Sequence, residues 1–279
     1  KVVMKLKMID AFSGIGGFSY AAEKFVGGFQ TTQFIENDSY CQKVLKKHWP
    51  KIPIHDDIQT FKAKPYSADI ITGGFPCQDI STGGQGKGIT KETRSGLFYE
   101  LIRIIRMVRP KYVILENVAA IVNNGLGIVL GELAESRFYC EWACIPASAL
   151  GACHTRDRWF LVAANPEHFG LSTTQKTRGN EQSCQTKAGQ KTSFKFKGGN
   201  KSIFSEDFSR ITGKWKPTRF MLNPNWRQYT VERGVCGDND GISSRIYRNS
   251  RIKALGNSVV PQVAAIPLQR VLDLEKNYG

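Results

Sequence analysis

The chain has 279 residues, 41% hydrophobic and 23% charged, close to the averages of a folded globular protein, which excludes disordered and fibrous classes. This length supports one main domain with one small satellite. The excess of 39 Lys+Arg over 24 Asp+Glu gives a net charge of +15; such a field gathers polyanions and makes nucleic acid the leading partner class, a solvated basic surface being the alternative.

Cys41, Cys77, Cys140, Cys144, Cys153, Cys184 and Cys236 are an odd number without paired spacing. That argues against a secreted disulfide framework and fits a reducing cytosol. Cys140, Cys144, Cys153 and His154 could surround zinc, but neither cysteine pair has tight C-x-x-C spacing, and Cys140, Trp142 and Cys144 alternate like one strand face. No metal is expected. With no apolar run near the ~20 residues that span a bilayer and no signal-type leader, the chain reads as cytoplasmic, of prokaryotic or phage type, with no membrane partner.

Along the first 165 residues strands alternate with helices. Leu6–Phe12 is a strand that stops at a glycine-rich turn, and a helix follows from about Phe18 to Phe25. Thr31–Ile35 is a second strand ending at Glu36, and a short third segment ends near Asp57 and Ile58. Strand Ala68–Thr72 runs into the turn Gly73-Gly74-Phe75-Pro76-Cys77. Leu97, Leu101, Ile104, Ile105 and Val108 recur at helical spacing, and Pro110 separates that helix from strand Tyr112–Leu115. A helix over about Gly127–Phe138 leads to strands Tyr139–Ile145 and Trp159–Ala163. The rhythm predicts an α/β fold, a Rossmann-like mostly parallel sheet with helices on both faces, whose ligands bind at the carboxyl ends of the strands.

From about Asn165 the periodicity ends. Between Leu171 and Phe220 eleven Lys/Arg stand against three Asp/Glu, more than half of the whole chain's charge excess. A small basic region that holds nucleic acid is therefore expected over 167–244, with a disordered basic linker as the alternative. Regular pattern returns at Arg251–Leu274, read as a strand edge or turn followed by a closing helix, so that 245–279 would complete the domain begun by 1–166.

Asp10-Ala11-Phe12-Ser13-Gly14-Ile15-Gly16-Gly17-Phe18 joins a strand to a helix through glycines. Such a turn lets a ligand approach the backbone at a helix N-terminus, although an ordinary tight turn has the same composition. Glu36, twenty residues beyond Gly16 at the next strand end, stands where a carboxylate accepts both hydroxyls of a ribose. Asp57 suits an adenine amino group or a cap. Gly74-Phe75-Pro76-Cys77-Gln78 sets a thiol on a rigid turn past a strand, and the thiolate form is strongly nucleophilic; a buried small hydrophobe is the plain alternative. Four glycines within six residues, Gly83, Gly84, Gly86 and Gly88, suit a closing loop. Glu116 follows an apolar strand and so reaches the same sheet edge as Cys77, as do Arg156 and Arg158; each could equally be an ion-pair partner.

In this order Asp10–Phe18, Gly74–Ser81, Arg94–Gly96, Glu116–Val118, Arg156–Arg158 and Gly256–Pro261 resemble the cytosine-C5 DNA methyltransferase family, and the likeness covers most of residues 6–165 and 251–265. It implies that Cys77 attacks C6 of a flipped-out cytosine, that Glu116 holds and protonates N3, that Arg158 holds the base oxygen and that Arg156 supports the pocket. It implies S-adenosylmethionine as cofactor, contacted by Phe12, Gly14, Gly16, Gly17, Glu36, Asp57, Ile58, Pro76 and Asn257. Double-stranded DNA would meet Ser81, Gln85, Lys87, Lys195 and Lys197, and the protein would act as a monomer, within restriction–modification chemistry. A tRNA cytosine methyltransferase and a DNA-binding protein without activity are the alternatives. Departures are His154 in place of the family's glutamine, Asn37 after Glu36 where a bulkier apolar residue often stacks on adenine, and a loose match over Trp226–Arg233.

Overall fold

The computed structural model describes residues 5–76, 96–152, 154–169 and 244–278. Cys77, Ser81, Gln85, Lys87, Lys195, Lys197 and the expected recognition region beyond residue 169 lie outside these residues. Seven strands form one sheet: β1 (Leu6–Ala11), β2 (Phe29–Ile35), β3 (Ile54–His55), β4 (Ile70–Gly74), β5 (Tyr112–Val118), β6 (Tyr139–Pro146) and β7 (Asp157–Ala164). The helices are α1 (Gly17–Tyr20), continued by a wider π turn over Ala21–Val26, α2 (Ser39–His48), α3 (Leu97–Val108), α4 (Ile121–Asn124), α5 (Leu126–Glu135), α6 (Ser244–Asn257) and α7 (Pro261–Tyr278).

The strand order is β3-β2-β1-β4-β5-β7-β6. The first five strands are parallel, whereas β7 runs antiparallel to both β5 and β6. Order reverses between β1 and β4, and a crevice opens at such a point beyond the carboxyl ends of the strands. The antiparallel β7 brings its amino end, with Arg156 and Arg158, to that same edge.

Apolar residues at successive strand positions face opposite sides, which makes two cores. Met8, Ile70, Tyr112, Ile114, Phe160 and Val162 pack with Phe18 and with Val263, Leu268 and Val271 of α7. Their neighbours Ile9, Ile71, Val113, Leu115, Trp159 and Leu161 pack with Phe98, Leu101 and Ile105 of α3 and Leu133 of α5. The strand carboxyl ends are thereby held between two rigid layers.

Three expectations are corrected. The segment before the closing helix is itself helical, α6, where a strand edge or turn was expected. Helix α2 was not foreseen, although Asp38 caps it by accepting from the N–H groups of Tyr40 and Cys41 at 3.0 and 3.2 Å. Tyr40, Cys41, Val44 and Leu45 recur at helical spacing, of which Cys41 and Leu45 are buried. Finally, Arg158 lies within β7, paired with Val118, and not ahead of the strand.

Candidate active site

β1 ends in a turn over Phe12–Gly16 that takes left-handed backbone at Phe12, Gly14 and Gly16. Beneath it Asp10 is buried and accepts hydrogen bonds from Ser19 at 2.6 Å and Thr72 at 3.0 Å. Burial outweighs those hydroxyls and pushes the Asp10 carboxyl up to about 7. The network ties β1, β4 and α1 together directly under the turn.

The two glycines of this turn answer different demands. A Cβ at Gly16 would stand 2.6 Å from the Trp49 ring, itself held by Phe34 and by a hydrogen bond from Trp49 Nε1 to Glu23, whereas a Cβ at Gly14 would meet open space. Gly17 likewise lies against Val259, 2.6 Å from where its Cβ would be. Packing alone therefore accounts for Gly16 and Gly17, while Gly14 faces room for a ligand. We expect Gly16→Ala to cost about 2–4 kcal/mol, from left-handed strain plus overpacking, and Gly14→Ala only about 1 kcal/mol. Urea denaturation of both variants checks this, and a larger loss for Gly14→Ala would overturn the distinction.

Glu36, at the end of β2, accepts from the N–H groups of Gly14 at 2.7 Å and Asp38 at 2.8 Å. Burial raises its pKa, and these two N–H groups oppose the rise. Because a carboxylate offers roughly four lone-pair positions, acceptor capacity is left for hydroxyl donors beside the open space at Gly14. Asp57 is exposed and caps its own turn, accepting from the Gln59 N–H at 2.9 Å, and Ile58 next to it is buried. Asn257 is exposed at the last position of α6.

Across the crevice, Pro76 closes the described part of the turn that leads to Cys77. Asn117 Nδ2 donates to the Phe75 carbonyl at 3.1 Å, and Phe75 is buried against Phe98 with ring centroids 5.0 Å apart. The neighbouring Glu116 is buried, paired in register with Gly74, and a side chain on Gly74 would press to 3.0 Å from its carboxylate. Arg158 Nε meets Glu116 Oε1 at 3.1 Å. Burial nevertheless wins over Arg158 and Arg156 and pushes the Glu116 carboxyl up to about 7. A carboxyl poised near neutrality can give and regain a proton.

Arg158 has five N–H donors, of which Nε serves Glu116 and Nη1 serves the Asp157 carbonyl at 2.9 Å, so others remain for a ligand. Arg156 points elsewhere. Its Nη2 donates to the carbonyls of Gly256 at 2.7 Å and Ser258 at 2.6 Å.

Sequence pattern gives Asp10, Asn117, Asp38 and Ser258 no role of their own. Asp38 carries a visible cap signal; Asp10, Asn117 and Ser258 meet their partners only once the surrounding strands and helices have packed.

The sequence profile of the family described as C-5 cytosine-specific DNA methylase matches residues 6–264. The chain belongs to that family. Within the C-5 cytosine-specific DNA methylases it is similar to the Type II methyltransferase M.CviJI of Paramecium bursaria Chlorella virus IL3A, 32% identical over 193 residues, 65% of this chain and 51% of that protein. It is also 32% identical over 167 residues to the Type II methyltransferase M2.BsuMI of Bacillus subtilis (strain 168), 57% of this chain and 42% of the other. The chain spans about half the length of the curated relatives it matches. The Entamoeba histolytica methyltransferase EhMeth shares the fold with a TM-score of 0.59 at 16% identity, over 96% of this chain and 98% of that one. The Rossmann-like sheet is thus that of a methylase family member. Among the described residues no helix is long and apolar enough to cross a membrane, and no cluster of His, Cys, Asp and Glu is arranged to hold a metal ion.

Proposed function

We propose that the chain is a DNA (cytosine-5-)-methyltransferase that takes its methyl group from S-adenosylmethionine and acts on a cytosine flipped out of duplex DNA. The observation that carries the reading is Glu116: a buried carboxyl with its pKa near neutrality, braced by Arg158 and adjoining the turn that leads to Cys77. Membership of the C-5 cytosine-specific DNA methylases supports the reaction class.

The turn fits the cofactor, because open space beside Gly14 lies next to a half-buried Glu36 carboxylate with acceptor capacity for a ribose. Glu36 would hold the ribose hydroxyls, Asp57 and Ile58 the adenine, and Phe12, Gly14, Pro76, Asn257 and the backbone of Gly16 and Gly17, whose Cα sides are filled by Trp49 and Val259, the remainder. Bound there, S-adenosylmethionine supplies an electrophilic methyl group.

Cytosine C5 is a poor nucleophile while the ring is aromatic. The Cys77 thiolate would add to C6, and protonated Glu116 would donate its proton to N3, so that the electron pair of the C5–C6 bond becomes enamine-like at C5. Arg158 would donate to the base oxygen and fix the ring plane. After methylation at C5, loss of the C5 proton to a solvent base would expel Cys77 as thiolate, and Glu116 would recover its proton from N3. Each group ends as it began. Ser81, Gln85 and Lys87 would contact the DNA, while Lys195 and Lys197, within a target-recognition region over 167–244, would meet phosphates. We further propose that the protein works inside the cell, as a monomer on double-stranded DNA.

Incubation with methyl-labelled S-adenosylmethionine and, in parallel, mixed-sequence duplex DNA and tRNA tests the reading. Label should appear as 5-methylcytosine in DNA. Label confined to tRNA would overturn the choice of substrate, and label in neither would favour a binding protein without activity.

A further inference from the structure

Between α6 and α7 the turn Gly256–Val259 packs on the start of α1. A Cβ on Gly17 would lie 2.6 Å from Val259 Cγ2 and 3.0 Å from Ser258 Oγ, so this turn is the wall behind the glycine loop. Two polar contacts pin it. On one side Lys253 of α6 pairs with Asp38 at 3.1 Å, and the Asp38 N–H in turn holds Glu36. On the other side Arg156 Nη2 bridges the carbonyls of Gly256 and Ser258, the two residues flanking Asn257.

Those carbonyls belong to the C-terminus of α6, where the last carbonyls of a helix lack partners within the helix and a cationic donor is favourable. The arrangement at Arg156 is costly in itself. Its backbone takes a left-handed φ of +28°, and its Nε is buried without a hydrogen-bond partner among the described residues. Burial and the neighbouring Arg158 also disfavour its charge. A side chain held against such costs is held by the contact it makes, and that contact is with the wall of the cofactor loop. Arg158, two residues on, faces Glu116 instead.

We propose that Arg156 is a positioning residue for the cofactor, a clasp that holds Asn257 and the Gly256–Val259 turn against the glycine loop and so joins the two halves of the site. The proposal rests on the cofactor assignment above. Its consequence is a division of labour between two arginines of the same strand end: Arg158 serves the base, and Arg156 serves the methyl donor through Asn257.

The test is calorimetric titration of S-adenosylhomocysteine into the protein without DNA. Arg156→Ala should weaken binding about 10- to 50-fold, and Arg156→Lys, which keeps the charge but not the two-carbonyl bridge, about 5-fold or more; Arg158→Ala should stay within about 3-fold of the parent. In turnover assays the Arg156 variants should raise the KM for the methyl donor while kcat at saturating donor falls much less. Because Arg156 would act through Asn257, Arg156→Lys made in an Asn257→Ala background should change affinity less than 2-fold further. Parent-like affinity in both Arg156 variants, or independent multiplication of the Arg156 and Asn257 effects, would overturn the clasp alone. A parent protein that binds no S-adenosylhomocysteine would overturn the cofactor assignment and the clasp with it. Circular dichroism of Arg156→Lys separates either result from misfolding.

Discussion

Duplex DNA carrying 5-fluorocytosine throughout a mixed sequence should trap the protein, in the presence of methyl donor, as a complex that survives denaturation, and Cys77→Ser should form none. The reason is the last step of the proposed chemistry. Release of Cys77 requires loss of a proton from C5, and fluorine cannot leave as a cation, so the C6–sulfur bond persists after methylation. Serine cannot replace the thiol, because its hydroxyl is essentially un-ionised near neutrality while a thiol is partly thiolate. Mass spectrometry of the trapped peptide reads the result directly. An adduct that persists in Cys77→Ser would move the nucleophile to another residue.

Glu116→Gln should slow methyl transfer about a hundredfold or more, the usual scale for a proton-transferring group, while S-adenosylhomocysteine affinity stays close to the parent's. The same variant should be more stable at pH 8 and not at pH 5. Burial raises the folded carboxyl from an ordinary 4.5 to about 7. Below the unfolded value both states hold the proton, and the group costs nothing. As pH rises from 4.5 to about 7, the unfolded state ionises first, and stability is lost across that window. The full loss corresponds to about 3 kcal/mol. Glutamine escapes it but leaves Arg158 without its carboxylate, so a net gain of about 1–2 kcal/mol at pH 8 is expected. Urea denaturation at both pH values measures the difference. An equal effect of the substitution at pH 5 and pH 8 would show that Glu116 is ionised throughout, and turnover near the parent's would remove it from the mechanism. Asp10, pushed up to about 7 by the same cause, adds a loss of the same sign in both proteins and cancels from the comparison.

Much of the sheet was legible in the chain because buried parallel strands are short apolar runs set between glycine turns. Leu6–Ala11, Phe29–Ile35 and Tyr112–Val118 stand close to where pattern alone puts them. The ends of those strands carry Glu36 and Glu116, and a parallel sheet brings successive carboxyl ends to one edge. Fold class and the gathering of the acidic groups thus follow from residue order and periodicity.

Other features depended on contacts between residues far apart in the chain, which periodicity does not encode. That β7 runs antiparallel, and therefore delivers Arg158 to Glu116 from its amino end, is decided by strand pairing. Whether Gly14 or Gly16 leaves room for a ligand is decided by the Trp49 ring, thirty-odd residues away. Charge and periodicity alone do not tell Arg156 from Arg158, two residues apart at a strand end, although the family resemblance gives them different roles. Only the return of α6 and α7 across the sheet gives Arg156 the carbonyls of Gly256 and Ser258 and leaves Arg158 to the buried carboxyl. Local pattern records which face of an element is buried and where it ends; the partner of a polar group is set by whichever distant backbone packing brings within hydrogen-bond reach, and burial then fixes its pKa.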